Sequence, residues 1–113
     1  MKSFLALYMG SISTNAPTPA DLSEETIAAG MQAWNDWMTR HADVIVVAGG
    51  PVGKTMKASA DGIAHTRNAV SGYIIVRAET HEAATALFEG HPHFAIFPGE
   101  SVEVMECLPM PGQ

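Results

Sequence analysis

The stretch Lys2-Ser3-Phe4-Leu5-Ala6-Leu7-Tyr8-Met9 decides the architecture, because it is apolar on both of its alternating sets. Side chains on a strand point to opposite faces in turn, so Phe4, Ala6 and Tyr8 project one way and Leu5, Leu7 and Met9 the other. A strand with this pattern is covered on both faces. Downstream, Ser11 to Asp21 holds Asn15, Pro17 and Pro19 and reads as a loop. Asp21 or Ser23 can then cap a helix, with Glu24 and Glu25 suited to the positive end of its dipole. Within that helix Ile27, Met31, Trp34 and Met38 follow the spacing of a core-facing stripe. Trp37 falls beside it, stacked with Gly30, Ala33 and His41 along the edge.

A second strand, Val44 to Ala48, is expected to stop at Gly49-Gly50-Pro51. Thr55 to Ser59 and Ile63 to Thr66 then flank Ala60-Asp61-Gly62, and the Asp-Gly pair signals a tight hairpin, a protruding flap. Gly72 to Ala78 is the third core strand, rich in β-branched and aromatic residues. Thr80 caps a short helix carrying Ala83, Ala84, Leu87 and Phe88, Gly90 ends it, and Val102 to Leu108 is the last strand. The order predicts an α+β chain with a ferredoxin-like βαββαβ arrangement. It has an antiparallel four-stranded sheet, both helices on one face, and an inserted β-hairpin flap. Nothing in the chain is left to cover the other face. A second copy is therefore expected to supply that cover, giving a homodimer with a two-fold interface.

At 113 residues the whole chain, 1–113, is expected to be one domain. That is too short for a cofactor domain plus a substrate domain, and no cofactor is expected. Twelve acidic against six basic side chains give a formal charge of -6, and the six basic residues are scattered. Nucleic acid and anionic membranes, which need clustered positive charge, are excluded as expected partners. Cys107 is the single cysteine, so no internal disulfide can form and a reducing cytoplasm is expected. The apolar run from Phe4 to Met9 is short for a signal peptide and contains Tyr8, so it reads as a strand. No apolar run approaches the roughly 20 residues of a membrane helix, and a soluble protein is expected.

Ala48-Gly49-Gly50-Pro51-Val52-Gly53-Lys54-Thr55 imitates a phosphate-binding loop, but Ala48 stands where the strict pattern has its first glycine. No helical stripe follows Lys54-Thr55, so the segment reads as a glycine turn into the flap. Glu89-Gly90-His91-Pro92-His93-Phe94 carries more chemistry. Proline fixes its own φ and biases its predecessor towards extended geometry, so His91 and His93 are expected on one side of a stiffened bend.

Three readings are open for this pair. The imidazoles can serve acid-base chemistry with a carboxylate, or coordinate a metal with a third ligand from Asp61, His65, His41 or Glu106. They can also sit on a solvent-facing bend, bonding only to backbone. Glu106 shares a strand face with Val102, Val104 and Leu108, which predicts an acid in apolar surroundings. Trp37 reads first as packing. His41, at the helix end, is where the dipole favours a cation. Cys107 falls on the face opposite Glu106, as a small buried apolar residue, and His81 reads as an exposed first-turn residue.

The reading carried forward is a dimeric enzyme acting on a small organic ligand by histidine acid-base chemistry, without a metal. His91, His93 and Glu106 are its catalytic candidates, and Trp37, Tyr73 and Asp61 its ligand contacts. A non-catalytic ligand-binding or interaction module is the alternative.

Several segments together resemble the YCII-related family, of the dimeric α+β barrel group. They are Gly30-Met31-Gln32-Ala33-Trp34-Asn35-Asp36-Trp37, Gly49-Gly50-Pro51-Val52-Gly53, Asp61-Gly62, Ser71-Gly72-Tyr73, Glu89-Gly90-His91-Pro92-His93, and Val102 to Pro111 with its Leu108-Pro109-Met110-Pro111 ending. The resemblance implies a ferredoxin-like protomer, a barrel-like homodimer and a pocket between sheet and helix. Smaller members resemble muconolactone-type isomerases and dehalogenases, with a site centred on a His-Asp pair whose histidine lies on the first helix. Here the first helix has only His41, at its very end. His91 and His93 match the motif of this branch and are the residues the resemblance carries over to the pocket.

Overall fold

The computed structural model describes residues 1–11 and 18–111. Most of the expected loop, including Asn15 and Pro17, and the terminal Gly112 lie outside them. The regular elements are β1 (Lys2–Met9), α1 (Glu24–Arg40), β2 (Ile45–Pro51), β3 (Thr55–Ser59), β4 (Gly62–Thr66), β5 (Val70–Ala78), α2 (His81–Ala86), α3 (Pro92–Ala95) and β6 (Ser101–Glu106). Four strands form an antiparallel sheet in the order β2-β5-β1-β6, and β3 and β4 pair separately as a hairpin. This is the ferredoxin-like α+β arrangement with an inserted flap. No described helix is long and apolar enough to cross a membrane.

The two alternating sets of β1 meet different fates. Phe4, Ala6 and Tyr8 are buried, in register with Val76, Ile74 and Gly72 on β5. Together with Trp37, Ala84 and Phe88 from the helical layer they make up most of the core. On the other face Leu5 lies between Ile75 and Met105, and Val47 continues the row beyond Ile75. That row is apolar across all four strands, yet Met105 and Val47 are 40% and 41% exposed.

Ser23 caps α1, its hydroxyl accepting from the Thr26 amide at 3.1 Å. The buried line of the helix runs through Gly30 and Trp37, one step round from the expected stripe. Trp37 sets that rotation. Its indole N–H donates to the Leu87 carbonyl at 2.9 Å, and its ring stacks on Phe88 at 5.1 Å. Met31, expected in the core, is 52% exposed.

Three further expectations need correction. β2 does not stop at Ala48 but runs through Gly49 and Gly50 to Pro51, with its register shifted between Val47 and Gly50. Gly49 has φ +66°, and a Cβ there would overlap the Tyr73 carbonyl, so the glycine lets the strand press closely on β5. Lys54-Thr55 leads into β3 rather than a helix, as the turn into the flap was expected to. Cys107 is exposed, because β6 ends one residue before it. His41 closes α1 with its ring 4.7 Å from that of Trp37; burial, and then the Arg40 charge, lower its pKa, so the position does not favour the expected cation.

Candidate functional site

The histidine segment is helical, not an extended bend. Pro92 occupies the first turn of α3, where its fixed φ suits a helix and its missing N–H is no loss. His91 takes the capping position, and its Nδ1 accepts from the His93 amide at 3.0 Å. An imidazole thus does what Ser or Asp usually does at a helix start. Both side chains are buried, so the bend does not face solvent, although the ring hydrogen bonds of both go to backbone atoms, as that reading expected.

The hydrogen bonds fix both tautomers. A carbonyl oxygen only accepts, so the 2.8 Å contact between His93 Nε2 and the Met9 carbonyl puts hydrogen on that nitrogen and leaves the lone pair on Nδ1. In His91 the assignment is reversed: Nδ1 accepts, and Nε2 carries the hydrogen in the neutral ring. Burial first, and then the neighbouring imidazoles of His93 and His41, push the His91 pKa down to about 4, so the ring is neutral near pH 7.

Aromatic rings enclose the pair. Tyr8 lies 5.2 Å from His91 and 5.3 Å from His93, and Trp34 meets His91 edge-on at 4.6 Å. Gly99 makes room for His93, since a Cβ there would overlap its ring and its carbonyl oxygen. Two buried polar atoms in this cluster have no hydrogen-bond partner, the Tyr8 hydroxyl and His91 Nε2. Burial also drives the Tyr8 phenol well above its ordinary pKa.

Bordering the cluster, the described residues form an open cavity of about 690 Å³. Its wall includes Tyr8, Met31, Trp34, Tyr73, His93 and Phe97. Ile27 also lines it, which explains why part of the expected α1 core stripe is only half-buried. The wall is mostly apolar, and no described Asp or Glu contributes to it. Such a site can hold a small, largely apolar molecule beside the His93 ring.

The expected site residues divide accordingly. His93 and Tyr73 line the cavity, whereas His91 stands behind the wall with its ring against Tyr8 and Trp34. Trp37 belongs to the core. Asp61 sits exposed in the turn of the β3–β4 hairpin and does not border the cavity. Glu106 is not in the expected apolar surroundings. It is opposite Phe4 on β1 and lies 3.7 Å from the Lys2 amine, with its side chain 34% exposed. From Phe4 to Met9, whose carbonyl holds His93, is about 17 Å at 3.4 Å per residue. Glu106 therefore cannot be the carboxylate partner of this histidine. Among the described residues no three His, Cys, Asp or Glu side chains gather as a metal site.

Sequence reasoning missed Tyr8 and Phe97, and assigned Trp34 and Met31 to the core. A signal for Tyr8 existed: it is the last inward-facing residue of β1, and the only one carrying a polar atom. Phe97 follows α3 and gave no periodic signal. A second depression, about 350 Å³, lies along α2 among His81, Glu82, Thr85, Ala86 and Glu89. There His81 is committed to structure, its Nε2 donating to the Val104 carbonyl at 2.7 Å.

No known protein-family profile matches the chain, and no curated protein matches it. Among solved structures, the fold is similar to that of 5-chloro-2-hydroxyhydroquinone dehydrochlorinase (TftG) from Burkholderia phenoliruptrix AC1100, in complex with 2,5-dihydroxybenzoquinone. The two share 17% identity with a TM-score of 0.55, over 94% of this chain and 93% of that one. At this identity the likeness shows a common fold.

Proposed function

We propose that this chain is an enzyme of the YCII-related, dimeric α+β barrel group, acting on a compact planar organic molecule with His93 as its acid-base group. The observation that carries the reading is the locked His93 tautomer. With Nε2–H held by the Met9 carbonyl, Nδ1 is the nitrogen free to take a proton, on a ring that lines the cavity. The cavity volume falls in the usual range for small-molecule sites, roughly 300–1,000 Å³. A dehydrochlorinase with a hydroxylated quinone bound is a precedent for such chemistry on this fold, although fold alone does not carry activity. The segment resemblances support the family, and an exposed unpaired thiol at Cys107 suits a reducing cytoplasm.

The test is His93→Gln, whose amide nitrogen can still donate to the Met9 carbonyl while the basic nitrogen is lost. Wild type and variant are assayed against halogenated hydroxyquinols and unsaturated lactones. The expected outcome is a loss of turnover of about 10²- to 10⁴-fold with an unchanged melting temperature. Equal turnover by the two proteins would remove His93 from the chemistry.

A second reading, a ligand binder without turnover, is favoured by the lack of any described carboxylate in the cavity wall to balance an imidazolium. Saturable binding by the wild type, with no turnover of any compound in the panel, would select it.

A further inference from the structure

Among the residues of the cavity wall, Phe97 owes its place to a missing side chain. Its ring rests against Gly30, the buried glycine of α1. A Cβ at position 30 would come within 2.6 Å of the Phe97 Cε2 and Cζ atoms and within 3.1 Å of an Ile96 methyl carbon. The backbone carrying the ring is held. The Phe97 amide donates to the Pro92 carbonyl at 2.9 Å, the Gly99 amide to the His93 carbonyl at 3.0 Å, and the Glu100 amide to the Met9 carbonyl at 2.9 Å. Pressure from α1 is therefore taken up by rotation of the side chain. The Trp34 ring stands 6.1 Å from that of Phe97, and the space that Phe97 borders is the cavity. A side chain at position 30 would turn the ring that way.

We propose that the Phe97 ring, seated on Gly30, sets how large a molecule the cavity takes, and that this molecule is a body of two fused rings. The inference rests on reading the cavity as a small-molecule site, and it narrows the ligand to a size class. A dry cavity of roughly 150 Å³ holds a benzene ring. This one, its mouth included, measures about 690 Å³. A single ring leaves apolar wall uncovered, and covering that wall is where added apolar surface gains affinity. Ile27, Met31 and Trp34 of α1, with Phe97 and Pro98 after α3, supply it. Gly30 is a positioning residue, since it stands behind the wall and acts through the ring it seats.

The experiment is calorimetric binding of a matched pair of probes, 2,5-dihydroxybenzoquinone with one ring and 2-hydroxy-1,4-naphthoquinone with two. All proteins carry Cys107→Ser, which removes an exposed thiol that could add to a quinone and lies outside the cavity wall. The parent should bind the two-ring probe about tenfold more tightly. Gly30→Ala, a favourable change for a helix in itself, should weaken two-ring binding about tenfold and leave one-ring binding within about twofold. Phe97→Leu lacks the ring atoms that the new methyl group would meet. In that background Gly30→Ala should change neither affinity, a coupling that a general loss of stability would not produce. Phe97→Trp adds bulk to the same wall with Gly30 kept. It should also weaken the two-ring probe selectively, and it supplies the test if Gly30→Ala does not fold.

A parent that binds the one-ring probe as tightly as the two-ring probe, or more so, overturns the size class. Variants that keep the parent's preference, or lose affinity for both probes alike, overturn the role of Phe97 while leaving the cavity's role as a site intact. Equal effects of Gly30→Ala in the parent and Phe97→Leu backgrounds remove the positioning role. A parent protein that binds neither probe sinks the cavity reading and this inference with it.

Discussion

At His91, helix capping and protonation compete for one nitrogen. Nδ1 must stay unprotonated to accept from the His93 amide, and burial together with the adjacent imidazoles lowers the pKa from its ordinary 6.5 to about 4. In the unfolded chain the ring takes up its proton as pH falls through the ordinary value. In the folded chain it resists until near the lowered one. Between the two the unfolded state binds more protons, so stability falls as pH falls, by at most about 1.4 kcal/mol per unit, and above that window the group contributes nothing. Urea unfolding of the wild type and His91→Asn at pH 7.5 and pH 5 checks this. The wild type should lose about 2 kcal/mol more than the variant on acidification. Parallel losses would mean that His91 titrates normally in the fold.

Among the elements, those whose pattern is local were legible in the sequence. The two apolar sets of β1, the β-branched and aromatic run of β5, the Ser23 and Thr80 caps, and the Asp61-Gly62 hairpin each appear where the residues put them. The misreadings arose where a distant partner overrode a local rule. The face that α1 buries depends on the carbonyl of Leu87, fifty residues away, which ties down Trp37 and rotates the helix by one step. Gly49 and Gly50 looked like a strand terminator, but the close approach of β5 at Tyr73 makes them part of β2. Proline at position 92 was read through its bias on the preceding residue. Its second preference, for the first turn of a helix, prevailed because the His91 ring supplied a cap. Half the site was visible in this way: His93 and Tyr73 were identified, while Glu106 was assigned by strand parity without regard to its distance along the sheet.

At the scale of the whole molecule, the uncovered sheet face and the cavity are what a second subunit and a ligand would act on. The row Val47, Ile75, Leu5 and Met105 is continuous across four strands and partly open, and we propose that a second copy covers it. Sedimentation equilibrium should show a dimer for the wild type and a monomer for Ile75→Lys, with the strand and helix circular dichroism retained. A wild-type monomer at micromolar concentration would end that proposal.

The claim on which the functional account turns is that the cavity beside α3 receives a small planar molecule. A nuclear magnetic resonance titration of the Cys107→Ser protein with 2,5-dihydroxybenzoquinone addresses it directly. The account predicts saturable shifts at Tyr8, Trp34, Tyr73, His93 and Phe97. Shifts confined to the His81–Glu89 depression, or none at millimolar probe, would contradict it.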